Sequence, residues 1–293
     1  MTVTASGSVC VVTAGGKALG PYSGPGPGME KWLAASLKVW EALPEAERAA
    51  GAVKVAKAKT IDPKRAALAL PPGALVIRVF NRHLGWNDDR SLRYITAEDY
   101  LPGLNQASIE RFGMAQNDFM WIPEPEWRAL IPAEPTTGAR HLVPASFALR
   151  LFRYHLDPCR GFSEGAAFTT SKSDAGRLTL IVQDVDDEKL TLRLEGSAKL
   201  HQKGREGVAS YEPSLLGYIV YERNKKTISR FDLLALGTAC GLPTDANGVV
   251  TPRKGPYPLG IAFELVPSPT SAEHLHPRGA RDNVAAYLLP KEK

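Results

Sequence analysis

From Arg177 to Leu236 apolar residues recur at every second position, and that period restricts the fold more than any other feature of the chain. Leu178, Leu180 and Val182 form one such series and Leu190, Leu192 and Leu194 another, with the acidic stretch Asp184–Glu188 between them. Successive side chains of a strand point to opposite faces, so the two series describe a half-buried antiparallel hairpin. A second hairpin follows: a strand over Leu215–Glu222, a turn at Arg223–Lys226, and a strand over Thr227–Leu236. Leu259–Val266 supplies a further strand. Strands joined by short turns make a β-meander of at least five strands. Regular alternation of strands and helices is missing, which argues against Rossmann and TIM-barrel architectures.

The earlier half reads differently. Ser8–Thr13 is a short β-branched run. Gly20–Gly28 alternates Gly with Pro and can form neither helix nor central strand. Met29, Trp32, Leu33, Leu37, Trp40 and Leu43 then fall at three-and-four spacing, the stripe of an amphipathic helix over 29–43. Residues 52–73 read as a connection, Ala74–Phe80 as a strand, and Asn81–Gly113 as a polar excursion. Phe119–Ile122 is a short apolar run, and 123–130 a short helix with Pro and acids in its first turn. Residues 145–155 lean to helix, and 279–289 read as a closing amphipathic helix. The expected class is α+β: an antiparallel β-meander, as an open barrel or a sandwich, with an N-terminal amphipathic helix and short peripheral helices. Residues 1–70 form an arm and helix packing on the main domain, and 71–293 form one β-rich domain.

Composition sets outer bounds. The 293 residues are 44% hydrophobic and 23% charged, enough for a core without disulfides. No apolar run approaches the roughly 18 residues of a spanning helix, so no membrane span is expected. A net charge of +5, with only short basic stretches, does not make nucleic acid the expected partner. Three widely spaced cysteines, Cys10, Cys159 and Cys240, do not form a disulfide framework, although pairing of two of them stays open. The first residues lack the pattern of a secretory leader. The default compartment is cytoplasmic, or extracytoplasmic if a leader has been trimmed.

Several residues carry chemical interest. Gly161-Phe162-Ser163-Glu164-Gly165 matches the G-x-S-x-G nucleophile elbow, with Asp232 and His274 following in hydrolase order. The polar stretch after it and the downstream meander do not suit that elbow, and a glycine-rich chain generates such patterns by chance. Cys159 sits beside Arg160 and four residues after His155, a setting in which a cation favours the thiolate. His274 and His276 share a face if extended, next to Glu273. They are the one place the sequence offers a divalent metal, with His83, His141, His155 and His201 as possible sources of a third ligand. No other cofactor is expected. Trp86, Trp121, Tyr218 and Tyr221 are candidate lining residues, although the three-residue spacing of the tyrosines puts them on opposite faces of a regular strand.

The segments RLTLIVQDV, KLTLRLEGSAKL, LLGYIVYE, SRFDLLALG, PLGIAFEL and PRGAR, with GKALGPYS, LPEAER-AAGAVKV and WIPEPEWRALIPAEP before them, resemble a group of bacterial proteins found in planctomycetes. The resemblance spans most of the chain and implies no activity, so it assigns no functional residue. The leading expectation is a non-catalytic β-scaffold that binds a small molecule or a protein partner. The alternative is an enzyme: a hydrolase using Ser163, or a metal-dependent enzyme using His274 and His276.

Overall fold

The computed structural model describes residues 11–13, 19, 28–49, 69–100, 113–156, 176–201, 210–241, 253, 255–270, 273–280 and 284–289. All but Gly28 of the expected Gly20–Gly28 arm, all but 69–73 of the 52–73 connection, and the whole Gly161–Gly165 pentapeptide lie outside these residues. The chain divides into two compact units, Met1–Pro63 and Lys64–Lys293.

The first unit contains helix α1 (Met29–Glu41) and the short helix α2 (Glu45–Arg48). Gly28, at φ 107°, starts α1 in a left-handed conformation that glycine adopts without a Cβ penalty. Arg48 closes the helical pair by donating from Nε to the Leu43 carbonyl at 2.9 Å, with its guanidinium 5.4 Å from the Trp40 ring. Of the apolar stripe, Leu33, Leu37 and Trp40 are exposed, while Ser36 beside them is buried.

The second unit is built on β1 (Leu75–Trp86), β2 (Leu92–Tyr94), β3 (Gln116–Ile122), helix α3 (Glu124–Arg128), β4 (Arg140–Leu142) and helix α4 (Ala145–Arg150). Then follow β5 (Arg177–Val185), β6 (Lys189–Ser197), β7 (Leu200–His201), β8 (Ser210–Glu222), β9 (Thr227–Cys240), β10 (Tyr257–Leu265) and helix α5 (Val284–Leu288). The ten strands form one sheet in the order β2-β1-β10-β9-β8-β6-β5-β4, with β3 also on β1 and β7 on β8. All the pairings are antiparallel. Edge strands β2 and β4 do not pair, so the sheet stays open. The expected α+β meander is therefore present as β5, β6, β8, β9 and β10, and β1 returns to lie beside β10.

One face of the sheet buries the alternating residues read from the sequence. Leu178, Leu180, Val182, Leu190, Leu192, Leu194, Leu233, Leu259, Ile261, Ile77 and Val79 share a single core with Phe147 of α4, whose ring lies 6.2 Å from Phe231. Full burial of side chains this size contributes about 1.5–3 kcal/mol each. At Gly217 and Gly237 the neighbouring strand backbone fills the space a Cβ would need, so the strands approach there as only glycine permits.

Two local readings change. β1 does not stop at Phe80 but runs six residues further, through Asn81, Arg82 and His83. Its period of two continues, with Asn81 and His83 buried on the core face where the preceding strand residues are apolar. The 145–155 helix is real, but beyond Arg150 it widens into a π-helical turn, Leu151–His155. Of the closing helix expected over 279–289, the described residues show a 3-10 turn at Arg278–Ala280 and helix α5 at Val284–Leu288.

Candidate functional site

The extra length of β1 builds a hairpin with β2, in which Leu84 pairs Tyr94, Gly85 pairs Arg93 and Trp86 pairs Leu92. Its turn is tied by the Asn87 N–H to the Ser91 carbonyl at 2.9 Å and by Asn87 Nδ2 to Ser91 Oγ at 2.8 Å. Asp89 Oδ1 accepts from the Ser91 N–H at 2.9 Å and from Ser91 Oγ at 2.6 Å, and these bonds hold its carboxyl below the usual range.

Two arginines pin the hairpin from its core side. Arg93 donates from Nε to the Trp86 carbonyl and from Nη1 to the Tyr94 carbonyl, both at 3.0 Å. The same guanidinium grips Asp99 with two bonds of 2.8 and 2.9 Å and lies where a Cβ on Gly85 would fall. Burial pushes the Asp99 carboxyl up, but the Arg93 bonds and the Thr96 N–H outweigh it and leave it lowered. Arg253 donates from Nη2 to the Leu84 carbonyl at 2.8 Å. Its guanidinium sits 4.4 Å from the Tyr257 ring and 5.4 Å from the Tyr100 ring, while His83 stacks on Tyr257 at 5.1 Å. Three hairpin carbonyls are thus held by charge-assisted donors, which fixes the backbone more firmly than neutral bonds would.

The opposite side of this hairpin faces outward. Trp86 is 44% exposed, Leu92 41% and Tyr94 68%, and the Arg82 guanidinium lies 4.1 Å above the Tyr94 ring. The surface continues across the sheet. Leu84 and Leu236 flank Gly260, and the cross-strand row Leu216, Leu234, Ala262, Phe80 lies beside them. Leu216 is 50% and Leu234 48% exposed. The next row holds Arg193, Tyr218, Asp232, Glu264 and Arg78. Chemically this is an open apolar face with aromatic anchors and a charged border.

The residues singled out in the sequence fall elsewhere. Ser163 and Cys159 lie outside the described residues. Asp232 sits on the outer face of β9, engaged by Arg230. His274 is exposed and His276 partly buried. Glu273 beside them is held by Arg78 and accepts from the Thr270 N–H at 3.0 Å and from Thr270 Oγ1 at 3.1 Å. Among the described residues no group of three His, Cys, Asp or Glu is placed to hold a metal ion. The acidic stretch at 184–188 is a hairpin turn, in which Asp186 Oδ1 accepts from the N–H groups of Glu188 and Lys189, both at 2.7 Å. Trp86 belongs to the exposed face and Trp121 is fully buried. Tyr218 points outward with Asp232, and Tyr221 packs against the core.

A second polar cluster has no signature in the sequence. Arg150, fully buried, donates to both carboxylate oxygens of Glu126, with Nε at 3.1 Å, and to the carbonyls of Tyr287 and Leu288 at the end of α5. The Tyr287 hydroxyl accepts from the Trp121 N–H at 3.0 Å and lies 2.8 Å from His155 Nε2. Burial pushes its pKa up. This network fastens α5 to α3, α4 and β3 and is closed to solvent.

Compared with protein-family models, with curated proteins and with solved structures, the chain matches none. Among the described residues no helix is long and apolar enough to cross a membrane.

Proposed function

We propose that this protein is a non-catalytic β-scaffold that binds another protein through the outer face of the β1–β2 hairpin and the strands beside it. The observation that carries the reading is the exposure of Trp86, Leu92 and Tyr94 on a hairpin whose backbone is pinned from behind by Arg93 and Arg253. Ligands of small size favour concave sites, whereas an exposed apolar sheet face with aromatic and arginine anchors suits a protein partner. A preorganised hairpin also lowers the ordering cost of association.

A photoreactive residue at Leu92 tests this in extracts of cells that make the protein. A discrete protein adduct is expected there, and none from the same group placed at Lys225 in the β8–β9 turn. Equal labelling at the two positions, or none at either, would remove the support for a binding face.

A further inference from the structure

We infer that the partner of this face is a second copy of the chain, an inference that rests on the binding-face reading above. The first argument is area. The exposed parts of Trp86, Leu92, Tyr94, Leu216 and Leu234 come to on the order of 500 Å² of apolar surface. Partly exposed Phe80, Leu84 and Leu236 extend it. The largest apolar patch on a typical monomer is about 300–600 Å², and this one lies toward the upper end of that range. A stable interface buries about 800 Å² per partner, of which roughly 55–65% is apolar. The face therefore meets the apolar requirement of a dimer by itself.

The second argument is charge. A surface that meets its own copy across a two-fold axis presents every border charge to the same border, so one sign alone would repel itself. Here the border mixes both signs, in the pairs Arg78–Glu273, Arg140–Glu195, Arg193–Glu195 and Arg230–Asp232, with Glu264 between Asp232 and Arg78 in the cross-strand row. Such a border can pair with itself. A strongly basic or acidic partner would find no matching field.

Sedimentation of the full chain over a micromolar concentration series is the test. The weight-average mass is expected to rise from the 31.7 kDa of one chain toward twice that value. Leu234→Glu and, separately, Tyr94→Glu should each weaken association at least tenfold, while Lys225→Glu leaves it unchanged. Circular dichroism identifies any variant that fails to fold, and the two substitutions lie on different strands so that one can stand in for the other. Self-association that neither substitution disturbs would overturn the inference. So would a monomer at every concentration. If that monomer still gives a discrete adduct from Leu92 to a different protein, the binding face stands and only the second copy is rejected. A monomer with no adduct rejects both.

Discussion

Arg150 and Glu126 show how much a single buried pair can decide. Both are almost fully shielded, and the guanidinium also satisfies the last carbonyls of α5, a favourable placement for a cation at a helix C-terminus. Removing one member strands the other charge in the core. Arg150→Met is therefore expected to cost about 3–5 kcal/mol in urea unfolding, and adding Glu126→Leu should recover much of the loss. A double variant as unstable as the single one would show that the packing of Arg150, and not its charge, matters. Asp99 acts at the surface in a comparable way. Its lowered carboxyl pKa means that its stabilisation is complete above the unfolded value of about 3.9 and is lost as pH falls through the lower folded value. Asp99→Asn should flatten part of the acid limb of a melting-temperature profile. An unchanged limb would count against the role assigned to the Arg93–Asp99 pair.

At the scale of elements, the meander was legible because its turns and its alternation agree. The acidic turn and the Arg223–Lys226 turn both stand where the period breaks, since exposed polar residues and hairpin geometry coincide there. Lys226 takes a positive φ of 52°, a conformation that costs a residue with a Cβ about 1–2 kcal/mol. Lys226→Gly should thus stabilise the fold by up to about 1 kcal/mol once glycine's greater unfolded-state entropy is subtracted. A loss of stability in thermal melts would contradict that balance. The far end of β1 was not legible. Asn81 and His83 occupy core-facing positions where a half-buried strand should carry apolar residues, so the pattern looked broken although the backbone continues. His83 can sit there because its ring stacks on Tyr257, itself under Arg253, and both come from sequence positions about 170 residues away.

For the molecule as a whole, the candidate face is a property of assembly. Trp86 was singled out from the sequence, yet nothing local set it apart from Trp121, which is fully buried. Exposure separates them: both stand on the outer side of the sheet, where α5 packs over Val76 and Trp121 and leaves the far end of β1, with Trp86, open. The global response to pH follows from the same burial. Tyr211 and Tyr287 are held un-ionised by burial, whereas in the unfolded chain they ionise near pH 10. Above that pH the unfolded state gains a charge that the folded state resists, so stability should fall on the alkaline side. Tyr287→Phe should blunt the fall in a guanidinium titration at high pH. Its hydroxyl bonds to Trp121 and His155 would also be lost, at about 1–3 kcal/mol at neutral pH. By itself the sequence determined the class of fold, the meander strands and their turns, because alternation and turn chemistry are local and every hairpin reads them within a few residues. Only the tertiary structure decided that β1 joins β10, that two arginines pin the β1–β2 hairpin from behind, and that the apolar residues of five strands meet on one open face. Those outcomes depend on pairings between distant segments, and no short-range pattern encodes them.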